Sequence, residues 1–150
     1  MSLFLILKFI HIGAAMVAVG ANVTYAFWLR RAGTDRERLL DALEGIRRLD
    51  SRVANPGYIV LLLTGLAMIF NAGIPLTTFW IAAAIVLYVM VAAIGLLLYA
   101  PALRRQRAEA ERDPSSAEYR SAAMRGNLLG MLTVGTVAVI LYLMVFKPTL

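Results

Sequence analysis

His11 is the single histidine of a chain that contains no cysteine. An imidazole can ligate a haem iron or another metal through one ring nitrogen, or relay protons near neutral pH. His11 lies in a long apolar run, Leu3 to Leu29, whose only formal charge is Lys8. Lys8, His11, Ala15, Ala18 and Asn22 follow one another at spacings of three and four, so a helix sets them along one stripe, with Tyr25 at its end. The remaining faces, Phe9, Met16 and Val23 with Leu5, Ile12 and Val19, are wholly apolar. A histidine and an asparagine in hydrocarbon turn toward the bundle interior, and the small residues between them admit a neighbouring helix. Three roles are open for His11: a hydrogen bond to another helix, haem or metal ligation, and proton or substrate handling. Lys8 and Asn22 are the expected neighbours of any cofactor held there, and Lys8 would oppose protonation of His11 if the two were close. One histidine without thiolates supplies no metal cage, so no metal site is assigned.

The other polar groups read as packing devices. Asn22 and Asn71 suit interhelical hydrogen bonds, and Asn55 suits a helix cap. Gly13, Ala15, Ala18 and Gly65 mark close helix contacts, as does Gly126-Asn127-Leu128-Leu129-Gly130, a small-xxx-small motif followed by Thr133 and Thr136. The apolar runs contain no carboxylate, so the acid/base pairs of proton-coupled transporters are missing and no catalytic residue is assigned.

The elements that position these groups follow from composition. Of 150 residues, 61% are hydrophobic, against about 45 to 50% apolar content in soluble domains. A soluble domain of this length cannot hide such an excess, and four spans of about 20 residues in lipid can. A soluble enzyme, a disordered chain and a nucleic-acid-binding domain are excluded. The fold class is all-α, an integral membrane four-helix bundle forming a single domain over residues 1–150. The spans are about 3–29, 55–73, 78–100 and 126–146, with charged loops at 30–54 and 101–125. The first run is too long for a signal-peptide core and is followed, not preceded, by Arg30-Arg31, so it is a retained helix. Asn55-Pro56 opens the second span and Pro101 stops the third. The short uncharged link after Gly73 makes spans two and three an antiparallel hairpin.

The net charge of +6 carries orientation. All 13 arginines and all nine acidic residues lie in the two charged loops, which the positive-inside rule places in the cytoplasm, with both termini outside. Lys8 and Lys147 snorkel at the opposite face. Tyr25, Phe27, Trp28, Tyr58 and Tyr99 are placed for one aromatic belt, and Phe4, Phe70, Phe79, Trp80 and Phe146 for the other. In the first loop, Thr34 with Glu37 forms a capping-box pattern, and Leu39, Leu43, Ile46 and Val53 recur at helical spacing. This predicts a short cytoplasmic amphipathic helix lying on the membrane surface. Ser115 with Glu118 forms a second capping box, so the fourth helix begins near Ser116.

Lys8-Phe9-Ile10-His11-Ile12-Gly13, Gly20, Trp28-Leu29-Arg30-Arg31, Asn55-Pro56, Gly65, Leu87-Tyr88 and Pro101 with Arg104-Arg105 resemble a bacterial four-helix membrane family, domain-of-unknown-function family 2269. The likeness spans nearly the whole chain and implies a multi-pass protein of the bacterial inner (plasma) membrane. The opening Lys-x-x-His-x-Gly also resembles the first helix of the copper-resistance D proteins and of the membrane protoporphyrinogen oxidase that binds haem. That resemblance implies His11 as a haem or copper ligand. Two functions follow as expectations: a non-catalytic accessory or structural membrane subunit, and a haem-binding, or less well matched copper-binding, redox protein or haem-pathway enzyme using His11. The expected partners are the lipid bilayer and either other membrane subunits or further copies of the chain, and not nucleic acid.

Overall fold

The computed structural model describes residues 2–148, of which six α-helices and two π-helical turns form nearly all the structure. They are α1 (Leu3–Ala32), α2 (Arg36–Leu49), α3 (Asn55–Ala72), α4 (Phe79–Ala93), α5 (Ala100–Arg112) and α6 (Ala117–Phe146). The π turns, Asp50–Ala54 and Ile94–Tyr99, join α2 to α3 and α4 to α5 without interrupting the rod. Four helical rods long and apolar enough to cross a membrane result: Leu3–Ala32, Arg36–Ala72, Phe79–Arg112 and Ala117–Phe146.

This continuity departs from the sequence reading in an informative way. Pro56 and Pro101 do not start and stop helices; each sits inside a rod two residues beyond a π turn. A proline lacks the N–H that would bond one turn back, and its ring crowds the preceding carbonyl. A widened turn accommodates that crowding without breaking the helix. The first two rods stop at glycines at positive φ, Gly33 at 61° and Gly73 at 63°, and the third stops at Asp113 instead of Pro101. Gly73 donates to the Phe70 carbonyl while Ile74 donates to that of Ile69, closing α3 with its last carbonyls satisfied. The starts shift by one residue from the expected boxes. Asp35, not Thr34, caps α2 by accepting from the Arg38 N–H at 3.0 Å, and Ser116, not Ser115, caps α6 by accepting from the Tyr119 N–H at 3.1 Å.

The amphipathic helix α2 does not present its apolar face to a membrane surface. Leu39, Leu43 and Ile46 are buried among Ala32, Leu103 and Ala110, so α2 and α5 zip together into a helical head beyond the apolar spans. The residues expected in two charged loops thus form one packed unit. Its apolar core is the conventional kind, because in water each fully buried aliphatic side chain contributes about 1.5 to 3 kcal/mol. Inside lipid that drive is absent, which explains why the spans keep most of their large apolar side chains on the outside, with Phe9, Met16 and Met131 all above 70% exposed.

Along the spans, α1 packs on α3 and on α6, and α6 packs on α4. The order is therefore α3, α1, α6, α4. Although the link 73–78 is short, α3 and α4 make no close backbone approach along their length. They are bridged instead by the Tyr88 hydroxyl, which donates to the Tyr58 carbonyl at 2.9 Å.

Candidate functional site

The polar stripe of α1 faces α3, as its small residues permit. Ala18 is fully buried, and a Cβ added to Gly57 would stand 3.0 Å from the Ala18 Cβ. Above this contact, His11 Nδ1 stands 3.0 Å from Thr64 Oγ1. The Thr64 hydroxyl donates to the Val60 carbonyl one turn back at 2.7 Å, the usual choice of a helical threonine. Its single proton is thereby committed, so Thr64 Oγ1 accepts from His11 Nδ1–H, and the lone pair of the neutral ring resides on Nε2. Gly65 makes room for the ring, since a Cβ there would lie 3.1 Å from His11 Cε1.

Three turns further along, Asn22 Nδ2 donates to the Tyr58 hydroxyl at 2.6 Å. With the Tyr88 bond to the Tyr58 carbonyl, one tyrosine joins α1, α3 and α4. Tyr25, one turn beyond Asn22, is buried at 6% exposure. Its hydroxyl is directed at the carboxyl of Asp50, the first residue of the π turn before α3, without closing a direct hydrogen bond. Tyr58 and Tyr99 also lie within electrostatic reach of Asp50. Among the described residues no Lys or Arg pairs with this carboxyl. Burial lifts the Asp50 carboxyl above the usual range, and the facing Tyr25 hydroxyl holds part of that rise back. The Asn22 Oδ1 and Tyr25 hydroxyl oxygens are buried without hydrogen-bond partners.

In the head, Glu44 of α2 accepts from Arg47 and Arg48 of its own helix and from Arg107 of α5. These guanidiniums hold its carboxyl well below the usual carboxylate range. Arg36 donates twice to the Glu111 carbonyl, at 3.1 and 2.7 Å, tying the start of α2 to the end of α5. The two helices therefore run antiparallel.

The residues singled out from the sequence fall into two sets. His11, Ala18, Asn22, Gly65 and Gly126 make interhelical contacts, Gly126 facing Gln106 Oε1 at 3.2 Å from a Cβ placed on it. Ala15 is half-buried on the same stripe. Lys8, Asn71 and Asn127 are exposed, while a Cβ added at Gly13 or Gly130 meets nothing within 4 Å. The glycine motif Gly126 to Gly130 is thus used at one end only, because four residues turn the helix by slightly more than one full turn and α5 covers only the Gln106 side. Tyr25 is buried and Tyr58 and Tyr99 are half-buried, so these three do not form a lipid-facing belt, whereas Phe27 and Trp28 remain outside at 59% and 49% exposure. At the other end Lys147 Nζ lies 5.4 Å from the Trp80 ring, a cation–π contact in the expected aromatic zone.

Thr64, Asp50, Tyr58 and Tyr88 were not singled out as one constellation by sequence alone. Asp50 did leave a signal: Leu39, Leu43, Ile46 and Asp50 are spaced four, three and four, so the aspartate continues the buried stripe of α2. For a cofactor, His11 Nε2 is the one nitrogen with the tautomer a haem iron or metal requires. Among the described residues no group of three or more His, Asp or Glu side chains lies together to complete a metal cage.

Residues 5–148 match the family described as "Predicted integral membrane protein (DUF2269)". No curated protein and no solved structure matches the chain.

Proposed function

The chain belongs to this family of integral membrane proteins, and from that premise we propose that it serves as a non-catalytic accessory or structural subunit, packing against other proteins of a bacterial inner membrane. The observation that carries the reading is where the polar groups inside the spans are spent. His11 is engaged with Thr64, Asn22 with Tyr58, and Tyr88 with the Tyr58 backbone, so each pins one helix of the chain to another. The outer surface offers a complementary feature. A groove of about 430 Å³ on the α4–α6 side is lined by Leu87, Leu128, Met131, Leu132, Gly135 and Thr136. Gly135 lets another transmembrane helix approach closely, and the Thr136 oxygen, whose proton goes to the Leu132 carbonyl, can still accept a hydrogen bond from it.

Purification from native membranes in mild detergent should bring down a stoichiometric membrane partner, and Gly135→Leu, which fills the groove, should release it. A clean monomer from both proteins sinks the proposal. The Arg-rich head is placed in the cytoplasm by the positive-inside rule. The cysteine-free sequence makes this simple to test: Ser115→Cys should resist a membrane-impermeant maleimide in intact cells, and Asn71→Cys, exposed at the other end of the second rod, should react.

The second reading is haem ligation by His11. It is favoured by the Thr64 contact, which fixes the ring and leaves Nε2 as the available donor, as outer partners of ligating histidines do. A second ligand would come from another subunit. A Soret band that appears on haem addition and is lost in His11→Ala supports it; its absence, or persistence in the variant, rules it out.

A further inference from the structure

Where the second π turn meets α5, a cavity of about 190 Å³ opens against α6. Ala102 and Ala122, buried at 7% and 6% exposure, line its base, and their short side chains leave the space unfilled. One wall carries Leu97 and Leu98, which are 70% and 42% exposed on the apolar side of the rod. Arg105, Arg125 and Ser121 complete its polar lining. Most arginines of the head have partners: Arg47 and Arg48 with Glu44, Arg107 with Glu44 and Glu111, Arg112 with Glu109, Arg36 with a carbonyl. Among the described residues, Arg105 and Arg125 make no ion pair and no side-chain hydrogen bond.

We propose that this cleft binds the head-group phosphate of an anionic phospholipid. Two guanidiniums without carboxylate partners supply planar forks of donors matched to phosphate oxygens, and the Ser121 hydroxyl adds a third donor. The chain's own layout sets the depth. Leu97 and Leu98 belong to the end of the apolar span and Arg105 begins the charged head, so the cleft straddles the level at which a bilayer changes from hydrocarbon to head group. The exposed leucines give the acyl chains a continuous apolar wall leading away from the phosphate, which a water-borne phosphate would not use. A basic pocket between helices on the Arg-rich side is the arrangement that retains acidic lipids in place of neutral ones.

The test is native mass spectrometry of the whole protein in mild detergent with phosphatidylglycerol or phosphatidylcholine added at equal concentration. Retention of phosphatidylglycerol over phosphatidylcholine is expected. Arg105→Gln with Arg125→Gln should cut that preference about tenfold or more, given roughly 1 kcal/mol for each basic residue at an anionic surface. Ala122→Leu, which fills the base and leaves the charge unchanged, should reduce it as well. Arg52→Gln, outside the cleft, should not. Circular dichroism and the unfolding midpoint confirm that each variant is folded. Equal retention of the two lipids, or an unchanged preference in the double variant, overturns the proposal. So does displacement of the lipid by millimolar inorganic phosphate, which would assign the cleft to a soluble anion.

Discussion

His11 on α1 donates through Nδ1 to Thr64 on α3 across 3.0 Å, and Gly65, the next residue along α3, supplies the space in which the ring lies. One helix presents the polar group, the other presents an acceptor and a gap, and the fit depends on both. Gly65→Ala sets a methyl about 3.1 Å from His11 Cε1. The ring must then move, and the expected loss is about 1 to 3 kcal/mol, the range for overpacking a tight contact. Gly130→Ala, with nothing within 4 Å, should stay within about 0.5 kcal/mol of the parent. Reversible unfolding in mixed detergent measures both.

Thr64→Val keeps the shape of α3 and removes the acceptor. The expected cost is about 0.6 kcal/mol, with an upper bound near 1.7, because polar pairs in membranes contribute modestly. If His11 ligates a cofactor, the same substitution should also alter its absorption spectrum, since the ring loses the contact that orients it. No change in either stability or spectrum would remove Thr64 from the site.

Tyr58→Phe should cost more than Thr64→Val. It leaves the Asn22 amide, already short of a partner at Oδ1, without one at Nδ2 as well. An orphaned buried polar group costs about 1 to 3 kcal/mol. Tyr88→Phe removes the bridge between α3 and α4 but leaves the backbone carbonyl of Tyr58 in its helix, so a smaller loss is expected, together with faster hydrogen exchange confined to the two spans.

Asp50 makes stability depend on pH. Its carboxyl is raised by burial in the folded state, so folding favours its protonated form. That contribution is complete below the unfolded value and is lost as pH rises through the folded one. Asp50→Asn should therefore be more stable than the parent at pH 8 and should narrow their difference at pH 4.5, read as unfolding midpoints in the same detergent. Glu44 has the opposite sign: its lowered value gives a contribution present at neutral pH and lost only in strong acid. An Asp50→Asn protein whose advantage over the parent fails to shrink between pH 8 and pH 4.5 would contradict the burial assigned to Asp50.

In the head, Leu43 is 1% exposed and touches both α2 and α5 neighbours. Leu43→Ala should cost about 2 to 5 kcal/mol and expose the amides of α2 and α5 to exchange while leaving α1 and α3 protected. Glu44→Gln, at the solvent side of the same junction, should have a much smaller effect that fades at high salt.

The sequence by itself determined the solvent, the number of spans and the end at which the charges gather, because each rests on how many apolar residues must be taken from water and where the arginines stop them. It also placed His11, Ala18, Asn22 and Gly65 among the contact residues, since helical periodicity and the cost of polar groups in lipid leave them one direction to face. It misjudged α2, Pro56 and Pro101. An amphipathic stripe states that a face must be covered without naming the cover, and the tertiary structure supplied α5 where a membrane surface was equally compatible. A proline reads as a boundary until a π turn absorbs it. The Asp50 cluster was the least legible part. Tyr25, Tyr58 and Tyr99, which bear electrostatically on its carboxyl, come from three separate rods, and spacing along one chain segment cannot relate residues across rods.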